Sequence, residues 1–158
     1  MSTEKNLKEA FAGESQANRK YLAFAQKAQE EGYEAAARLF RAVSEAETIH
    51  AHAHLRIMGE IKSTSDNLKS AVEGEKYEFT TMYPEFIETA EQEGNARAKR
   101  SFELANEAEK VHGKLFAKYL DDLESKEAVE LYLCTICGNV SENNPPEKCP
   151  ICGVPAGK

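Results

Sequence analysis

The first 133 residues contain no cysteine and a single proline, Pro84. No uncharged apolar stretch approaches the roughly 20 residues that a membrane-spanning helix needs. No run of lysine or arginine occurs in a chain with 20 basic and 27 acidic residues. These absences make nucleic acid and membranes poor candidates for partners. The N-terminal residues lack the apolar core of a signal peptide, so we expect a cytoplasmic protein.

The composition changes near residue 130, which predicts two domains. Residues 3–124 are rich in Ala, Glu, Lys, Leu and Gln and repeat apolar residues at helical spacing, which predicts an all-α four-helix bundle. The predicted helices cover residues 3–31, 33–61, 66–92 and 95–123, and Pro84 is expected to bend the third. A charged linker follows, and from Leu131 the chain is rich in Pro, Gly, Asn and Cys. We therefore expect a bundle domain over residues 1–126 and a small loop-rich domain over residues 127–158.

Acidic residues interrupt the apolar stripe of each predicted helix near its middle, and histidine joins them in two helices. An amphipathic helix normally keeps such groups on its solvent side. Residues three apart share a helix face, so each Glu-x-x-His segment presents one carboxylate and one imidazole together. The seven interrupting residues are Glu14 in the first helix, Glu47 and His50 in the second, Glu75 and Glu78 in the third, and Glu109 and His112 in the fourth.

Carboxylates gathered inside a bundle need compensating positive charge, because an unpaired buried carboxylate is costly. The five negative charges of these glutamates nearly match the four positive charges of two divalent ions. One Glu from each of two helices plus Glu-x-x-His from the other two is the ligand pattern of di-iron and di-manganese bundles. The alternative is a set of solvated helix faces, since Glu-rich helices contain chance Glu-x-x-His matches. Two matches, each centred on an apolar stripe, favour the metal site.

Other polar residues lie near this set without sharing its spacing. Glu107 is not three residues before the histidine of the fourth helix, so it is not the predicted ligand. His52 points off the apolar stripe, and His54 has no glutamate three residues before it, so both are interpreted as non-ligands. Tyr21 and Tyr83 are placed to approach the site, although ordinary core tyrosines would have the same spacing.

The C-terminal domain contains two Cys-x-x-Cys turns separated by eleven residues. Four cysteines confined to the last 25 residues of a chain without signs of export indicate a tetrahedral metal site rather than disulfides. Gly138 and Gly153 follow the second cysteine of each turn, where a left-handed backbone is expected. The spacing alone does not distinguish iron from a structural zinc ribbon. The four predicted ligands are Cys134, Cys137, Cys149 and Cys152.

Together these motifs resemble rubrerythrin over nearly the whole chain, with a ferritin-like bundle followed by a rubredoxin-like tail. The resemblance implies that the seven bundle residues, including the Glu75 and Glu78 pair, hold two irons. It implies that the four cysteines hold a third iron, which zinc can replace on purification. It also implies that Tyr21 and Tyr83 neighbour the site, and that His50 and Glu78 exchange as ligands when the redox state changes.

The function implied by the resemblance is that of an oxidoreductase in oxidative stress defence. The reduced iron pair would reduce hydrogen peroxide to water, and the tetrathiolate iron would return electrons from a donor such as rubredoxin or an NAD(P)H-dependent reductase. Two alternatives stay open. One is a ferritin-like ferroxidase that handles iron and carries a structural zinc ribbon. The other is an electron-transfer or oxygen-sensing module without fast peroxide turnover.

The connection between the second and third predicted helices is short. In the ferritin-like topology these helices run parallel, so their connection must travel back along the bundle. At ~1.5 Å per helical residue its ends would lie on the order of 35 Å apart, whereas four residues reach at most ~18 Å. We therefore predict a homodimer in which the first two helices of one chain pack with the last two of the other.

Overall fold

The computed structural model describes residues 2–125 and 127–156. These residues form a mostly helical chain with a small two-stranded C-terminal region that carries the cysteines, which confirms the predicted fold class. None of the described helices is long and apolar enough to cross a membrane. The elements are α1 (Thr3–Glu30), α2 (Glu34–Met58), α3 (Thr64–Tyr77), a π-helical segment (Glu78–Met82), α4 (Tyr83–Gln92), α5 (Ala96–Asp121), β1 (Leu131–Leu133) and β2 (Val140–Glu142).

The chain divides into two compact units. The first, Met1–Lys62, contains the helices α1 and α2, and the second, Ser63–Lys158, contains all later elements. This division differs from the predicted boundary between residues 126 and 127, which falls inside the second unit. Lys126 itself lies outside the described residues, so the predicted domain limits stay a prediction.

Side-chain caps and glycines set the helix ends. The Ser63 hydroxyl accepts a hydrogen bond from the backbone N–H of Asp66, and the Asn95 side chain accepts one from Ala98, at the starts of α3 and α5. The helix α2 ends at Met58, earlier than the predicted residue 61, because Gly59 adopts a left-handed conformation with φ of 71°. The extended stretch after α2 is correspondingly longer than predicted.

The third predicted helix is not continuous. Its hydrogen-bonding pattern widens over Glu78–Met82, where the backbone N–H of Tyr83 donates to the carbonyl oxygen of Glu78, five residues earlier. Pro84 then stands in the first turn of α4, where its missing N–H costs little. A π-helical segment that begins at a predicted iron ligand therefore interrupts the predicted helix, and the bend at Pro84 stays a prediction. Such segments are frequent at functional sites.

Small residues bring α1 and α2 of the first unit close together. Ala25, Ala28, Ala37 and Ala51 are buried, and Ser44 is fully buried between the helices. The Asn18 amide donates to the backbone carbonyl and the hydroxyl of Ser44 and to the hydroxyl of Thr48. Alanines permit close approach, and this polar contact fixes the register between the two helices.

The two units are built on the same sequence pattern. In each, a tyrosine and a phenylalanine three residues apart pack against a phenylalanine of the following helix, and that phenylalanine precedes the Glu-x-x-His segment by seven residues. The aromatic groups are Tyr21, Phe24 and Phe40 in the first unit and Tyr83, Phe86 and Phe102 in the second, with ring centroids 5.6–6.3 Å apart in both.

One extra residue distinguishes the second copy of the pattern. Seven residues lead from Glu14 to Tyr21, whereas eight lead from Glu75 to Tyr83. A π-helical turn accommodates one more residue than an α-helical turn without breaking the helix. The π-helical segment therefore absorbs the insertion, and the aromatic packing stays the same in both units.

The cysteine-bearing region is a two-stranded antiparallel ribbon followed by a second turn. The ribbon pairs Leu131 with Glu142 and Leu133 with Val140. Each Cys-x-x-Cys turn closes with a hydrogen bond from the glycine N–H to the carbonyl of the first cysteine, at 2.9 Å in both turns. Gly138 and Gly153 have φ of 80° and 74°, which confirms the predicted left-handed positions.

Candidate metal centres

The first unit gathers three predicted ligands at the middle of the α1–α2 pair. The ligand atoms of Glu14, Glu47 and His50 all lie within 4.8 Å of one another. His50 Nδ1 is 3.1 Å from a carboxylate oxygen of Glu47 and 3.7 Å from one of Glu14. The His50 side chain is 55% exposed, so this cluster lies on an open face of the helix pair.

The second unit gathers the equivalent residues of α3 and α5. The ligand atoms of Glu75, Glu109 and His112 also lie within 4.8 Å of one another. His112 Nδ1 is 2.6 Å from a carboxylate oxygen of Glu109 and 3.9 Å from one of Glu75. The His112 side chain is only 22% exposed, so this cluster is better shielded than its counterpart in the first unit.

The carboxylates of the second cluster repel one another. Burial, followed by the proximity of Glu109, raises the pKa of Glu75 from 4.5 to about 7. Burial and the Glu109 charge also raise the pKa of Glu78. A cation among these carboxylates would favour their ionised form. Two carboxylates and one imidazole per cluster are a suitable donor set for iron.

The remaining predicted residues take different places. Glu78 lies near the second cluster but outside the 4.8 Å group. Glu107 points away and pairs with Lys110 on the surface, in agreement with its exclusion. His52 and His54 belong to neither cluster of described residues, and the buried Nδ1 of His54 has no hydrogen-bond partner among them.

The four cysteines form a third centre. Their sulfur atoms lie within 4.8 Å of one another, with Cys134 Sγ 3.6 Å from Cys152 Sγ and Cys137 Sγ 3.5 Å from Cys149 Sγ. Backbone N–H groups of Cys137 and Ile136 lower the pKa of Cys134 to about 6, whereas burial raises the pKa of Cys137 to about 12. The turns therefore stabilise thiolate, and ionisation of all four sulfurs requires a metal ion among them.

A hydrogen bond joins the second cluster to the cysteine centre. His112 Nε2 lies 2.9 Å from the carbonyl oxygen of Gly138, the residue that follows Cys137. This contact depends on how the ribbon packs against α5, so no residue spacing predicts it. The repeated pattern of the two units, by contrast, can be read from the sequence, by comparison of the two Glu-x-x-His segments and the aromatic residues that precede them.

Comparison with known proteins identifies the family. A family model described as Rubrerythrin matches residues 5–120, and one described as the rubredoxin-like domain of rubrerythrin matches residues 132–158. The chain belongs to the rubrerythrin family. Nigerythrin from Nitratidesulfovibrio vulgaris is 40% identical over 96% of this chain and 82% of its own length. Rubrerythrin-2 from Clostridium acetobutylicum is 36% identical over 96% of this chain and 92% of its own length.

Solved structures show the same likeness. Two of them are structures of nigerythrin, one in its mixed-valence state and one in its fully reduced, all-ferrous state. Each is 40% identical to this chain, with an alignment that covers 98% of this chain and 84% of the nigerythrin chain and a TM-score of 0.59. As a member of the rubrerythrin family, the chain is an oxidoreductase whose cofactors are iron ions. The two carboxylate and imidazole clusters and the four cysteines provide the ligands.

Proposed function

We propose that the chain is a peroxidase that reduces hydrogen peroxide to water at a two-iron site, with electrons delivered through the iron of the four cysteines. The observation that best supports this function is the position of His112. Its Nδ1 faces Glu109 in the carboxylate cluster, and its Nε2 contacts the Gly138 carbonyl beside Cys137. One imidazole therefore connects the ligands of the two kinds of iron site.

The contact with Gly138 indicates which ring nitrogen of His112 carries a hydrogen. A carbonyl oxygen only accepts hydrogen bonds, so Nε2 carries a hydrogen, and in the neutral ring that can bind a metal Nδ1 presents its lone pair. Nδ1 and Glu109 Oε2 are then two lone-pair atoms facing each other at 2.6 Å, an arrangement that a cation held by both would relieve. The path from Cys137 Sγ to this imidazole would run through the Cys137 backbone and Gly138 and then cross one hydrogen bond.

Reduction of one hydrogen peroxide to two waters consumes two electrons and two protons. The irons supply the two electrons when they are bound in their reduced form. Burial and the charges of the nearby carboxylates raise the pKa of Tyr83, so its hydroxyl keeps its hydrogen at neutral pH. We assign Tyr83 as a hydrogen-bond donor to oxygen atoms in the site, Tyr21 as its equivalent in the repeated pattern, and Glu78 as an additional carboxylate ligand.

Stopped-flow spectroscopy tests the function directly. When fully reduced protein is mixed with one equivalent of hydrogen peroxide, the peroxide should oxidise the bundle irons in a fast phase. The absorption of the ferric tetrathiolate should then appear in a slower phase, as that iron passes its electron on. Cys149→Ser, which removes one thiolate, should keep the first phase and lose the second. Reduced protein that reacts with O₂ but leaves peroxide untouched would contradict the proposal, as would zinc in a tetrathiolate centre that never changes oxidation state.

We also propose that the two clusters join in a homodimer, with the first cluster of one chain facing the second cluster of its partner. The helix α2 extends eight residues beyond His50, and α3 begins eleven residues before Glu75. If α2 and α3 run parallel in the bundle, the connection must span on the order of 28 Å at ~1.5 Å per residue. The residues 59–63 between the helices reach only ~20 Å when fully extended.

The surfaces around the clusters support the same assembly. On the ligand-bearing face of α2, Leu39 is 64% exposed and Ile57 is 69% exposed. In the second unit, an open and largely apolar cavity of about 370 Å³ adjoins Glu75 and His112 and includes Leu68 and Phe116 in its walls. An exposed apolar face that carries charged ligands is expected to be covered by a partner. The helix pair of a second copy brings apolar side chains and the missing ligands together.

Complementation between inactive chains tests this assembly. One chain carries Glu47→Gln and His50→Asn, and the other carries Glu109→Gln and His112→Asn. In an exchanged dimer, each mixed pair contains one site with every ligand intact, so co-refolding should recover roughly a quarter of the wild-type sites. Each variant refolded alone is the control and should recover none. Failure of the mixture to regain bundle iron and peroxide reactivity would show that each site is built from one chain.

A further inference from the structure

A second contact between α5 and the ribbon lies beyond the His112 hydrogen bond. Lys118 Nζ is 2.6 Å from a carboxylate oxygen of Glu142, the last residue of β2. Lys118 follows His112 by six residues, or ~9 Å along the helix. Gly138 stands at the tip of the β1–β2 ribbon and Glu142 at its base. Two polar contacts, one at the tip and one at the base, therefore join the ribbon to α5.

The surroundings of Glu142 set this pair apart from an ordinary surface ion pair. Exposed ion pairs contribute little, because both groups are well solvated and mobile. The Glu142 side chain is only 16% exposed, although that of Lys118 is 58% exposed. The hydrogen bond from Lys118 lowers the pKa of Glu142, and burial together with the Glu142 carboxylate raises the pKa of Tyr119, the next residue of α5. A shielded carboxylate of this kind needs its partner in place.

The position of the Lys118–Glu142 ion pair allows it to restrict the motion of the ribbon. The His112 contact with Gly138 is a single hydrogen bond at the tip of a ribbon whose strands are three residues each. With its base free, the ribbon could pivot about that one bond and lengthen it. Electron transfer slows as the path between donor and acceptor lengthens, so a longer hydrogen bond at this point would lower its rate. An anchor at the base restricts the pivot.

We infer that Glu142, through its ion pair with Lys118, is a positioning residue that holds the Gly138 carbonyl against His112 and so sets the rate of electron transfer from the cysteine iron to the bundle iron. This role rests on the proposed function, since it concerns the route by which electrons reach the peroxide-reducing site. Among the described residues, Glu142 belongs to none of the three ligand clusters, so its effect is indirect.

Flash photoreduction of the oxidised protein measures this transfer without peroxide. The cysteine iron is reduced by the flash, and the return of its ferric absorption reports transfer to the bundle iron. Glu142→Gln and Lys118→Met should each slow the return severalfold. The exchanged pair Lys118→Glu with Glu142→Lys should restore most of the rate. Lys110→Met, which breaks the exposed pair with Glu107 on the same helix, should leave it unchanged.

A second measurement does not depend on electron transfer. With zinc in the cysteine centre, ¹⁵N relaxation of the amides in residues 131–142 should show added motion relative to α5 in Glu142→Gln and not in Lys110→Met. Wild-type transfer rates in Glu142→Gln, or failure of the exchanged pair to restore a lost rate, would overturn the positioning role. Fast transfer in a protein that does not reduce peroxide would overturn the proposed function and leave the positioning role standing.

Discussion

The side-chain amide of Asn18 lies 2.8 Å from the carbonyl oxygen of Ser44 and 3.0 Å from its hydroxyl. The Ser44 hydroxyl in turn donates to the carbonyl oxygen of Asn18 at 3.2 Å. This reciprocal contact lies one helical turn from Glu14 on α1 and one turn from Glu47 on α2. Because the buried residues around it are alanines, it is the most specific determinant of the register that brings the two carboxylates together.

Asn18→Ala should therefore lower both the stability of the α1–α2 pair and the iron content of the bundle. Removal of the amide leaves the buried Ser44 groups without this donor, at a cost of about 1–3 kcal/mol. Asn6→Ala, at an exposed position of the same helix, should have little effect. Chemical denaturation and iron analysis of both variants measure the difference. Equal stability of the two variants would show that alanine packing alone sets the register.

Residue pattern was sufficient to place most of the helical residues and to predict the two three-residue clusters that the structure brings together. Glu-x-x-His spacing and an apolar stripe are local properties, so His50 and His112 meet their glutamates as predicted. The π-helical segment was missed, because apolar spacing across residues 78–82 looks the same for either hydrogen-bonding pattern. The contacts of Gly138 with His112 and of Lys118 with Glu142 join residues more than twenty positions apart. They follow from packing of the ribbon on α5, which no local pattern encodes.

The pKa of Glu75 predicts how the stability of the metal-free protein depends on pH. Its pKa is about 7 in the folded chain against 4.5 for an ordinary glutamate, so the folded state binds this proton more tightly than the unfolded state. The contribution of this proton to the free energy of unfolding is fully present below pH 4.5. It is lost as the pH rises from 4.5 to about 7. Glu75→Gln should therefore be more stable than wild type at pH 8, with a much smaller difference at pH 5.

Denaturation of the metal-free proteins at both pH values measures this effect, and Glu73→Gln, an exposed neighbour on α3, is the control. Addition of Fe²⁺ should reverse the order at pH 8, because the wild-type carboxylate then binds the ion. A stability difference between Glu75→Gln and wild type that is the same at pH 5 and pH 8 would contradict the assignment of the raised pKa to Glu75.

Gly113 is predicted to be required next to the π-helical segment. A Cβ at this position would lie 3.2 Å from the Phe79 ring and 3.5 Å from Cβ of Glu75. Ala51, the equivalent residue of the first unit, is buried without such a conflict. Gly113→Ala should therefore push the Phe79 ring aside and disturb Glu75, so its melting temperature should lie below that of Gly74→Ala. Gly74→Ala, which faces open space, should instead gain up to about 1 kcal/mol from helix propensity.

Tyr83→Phe separates the effect of the Tyr83 hydroxyl from the effect of its ring packing. The ring contacts Phe86 and Phe102 at centroid distances of 6.3 Å, and phenylalanine preserves these contacts, so stability and iron content should stay close to wild type. If the hydroxyl donates to oxygen in the site, the fast phase of peroxide reduction should slow by about tenfold or more. Tyr77→Phe, at the exposed last residue of α3, is the control. An unchanged fast phase in Tyr83→Phe would reduce Tyr83 to a core aromatic residue, and the proton donor would then have to be sought elsewhere in the second unit.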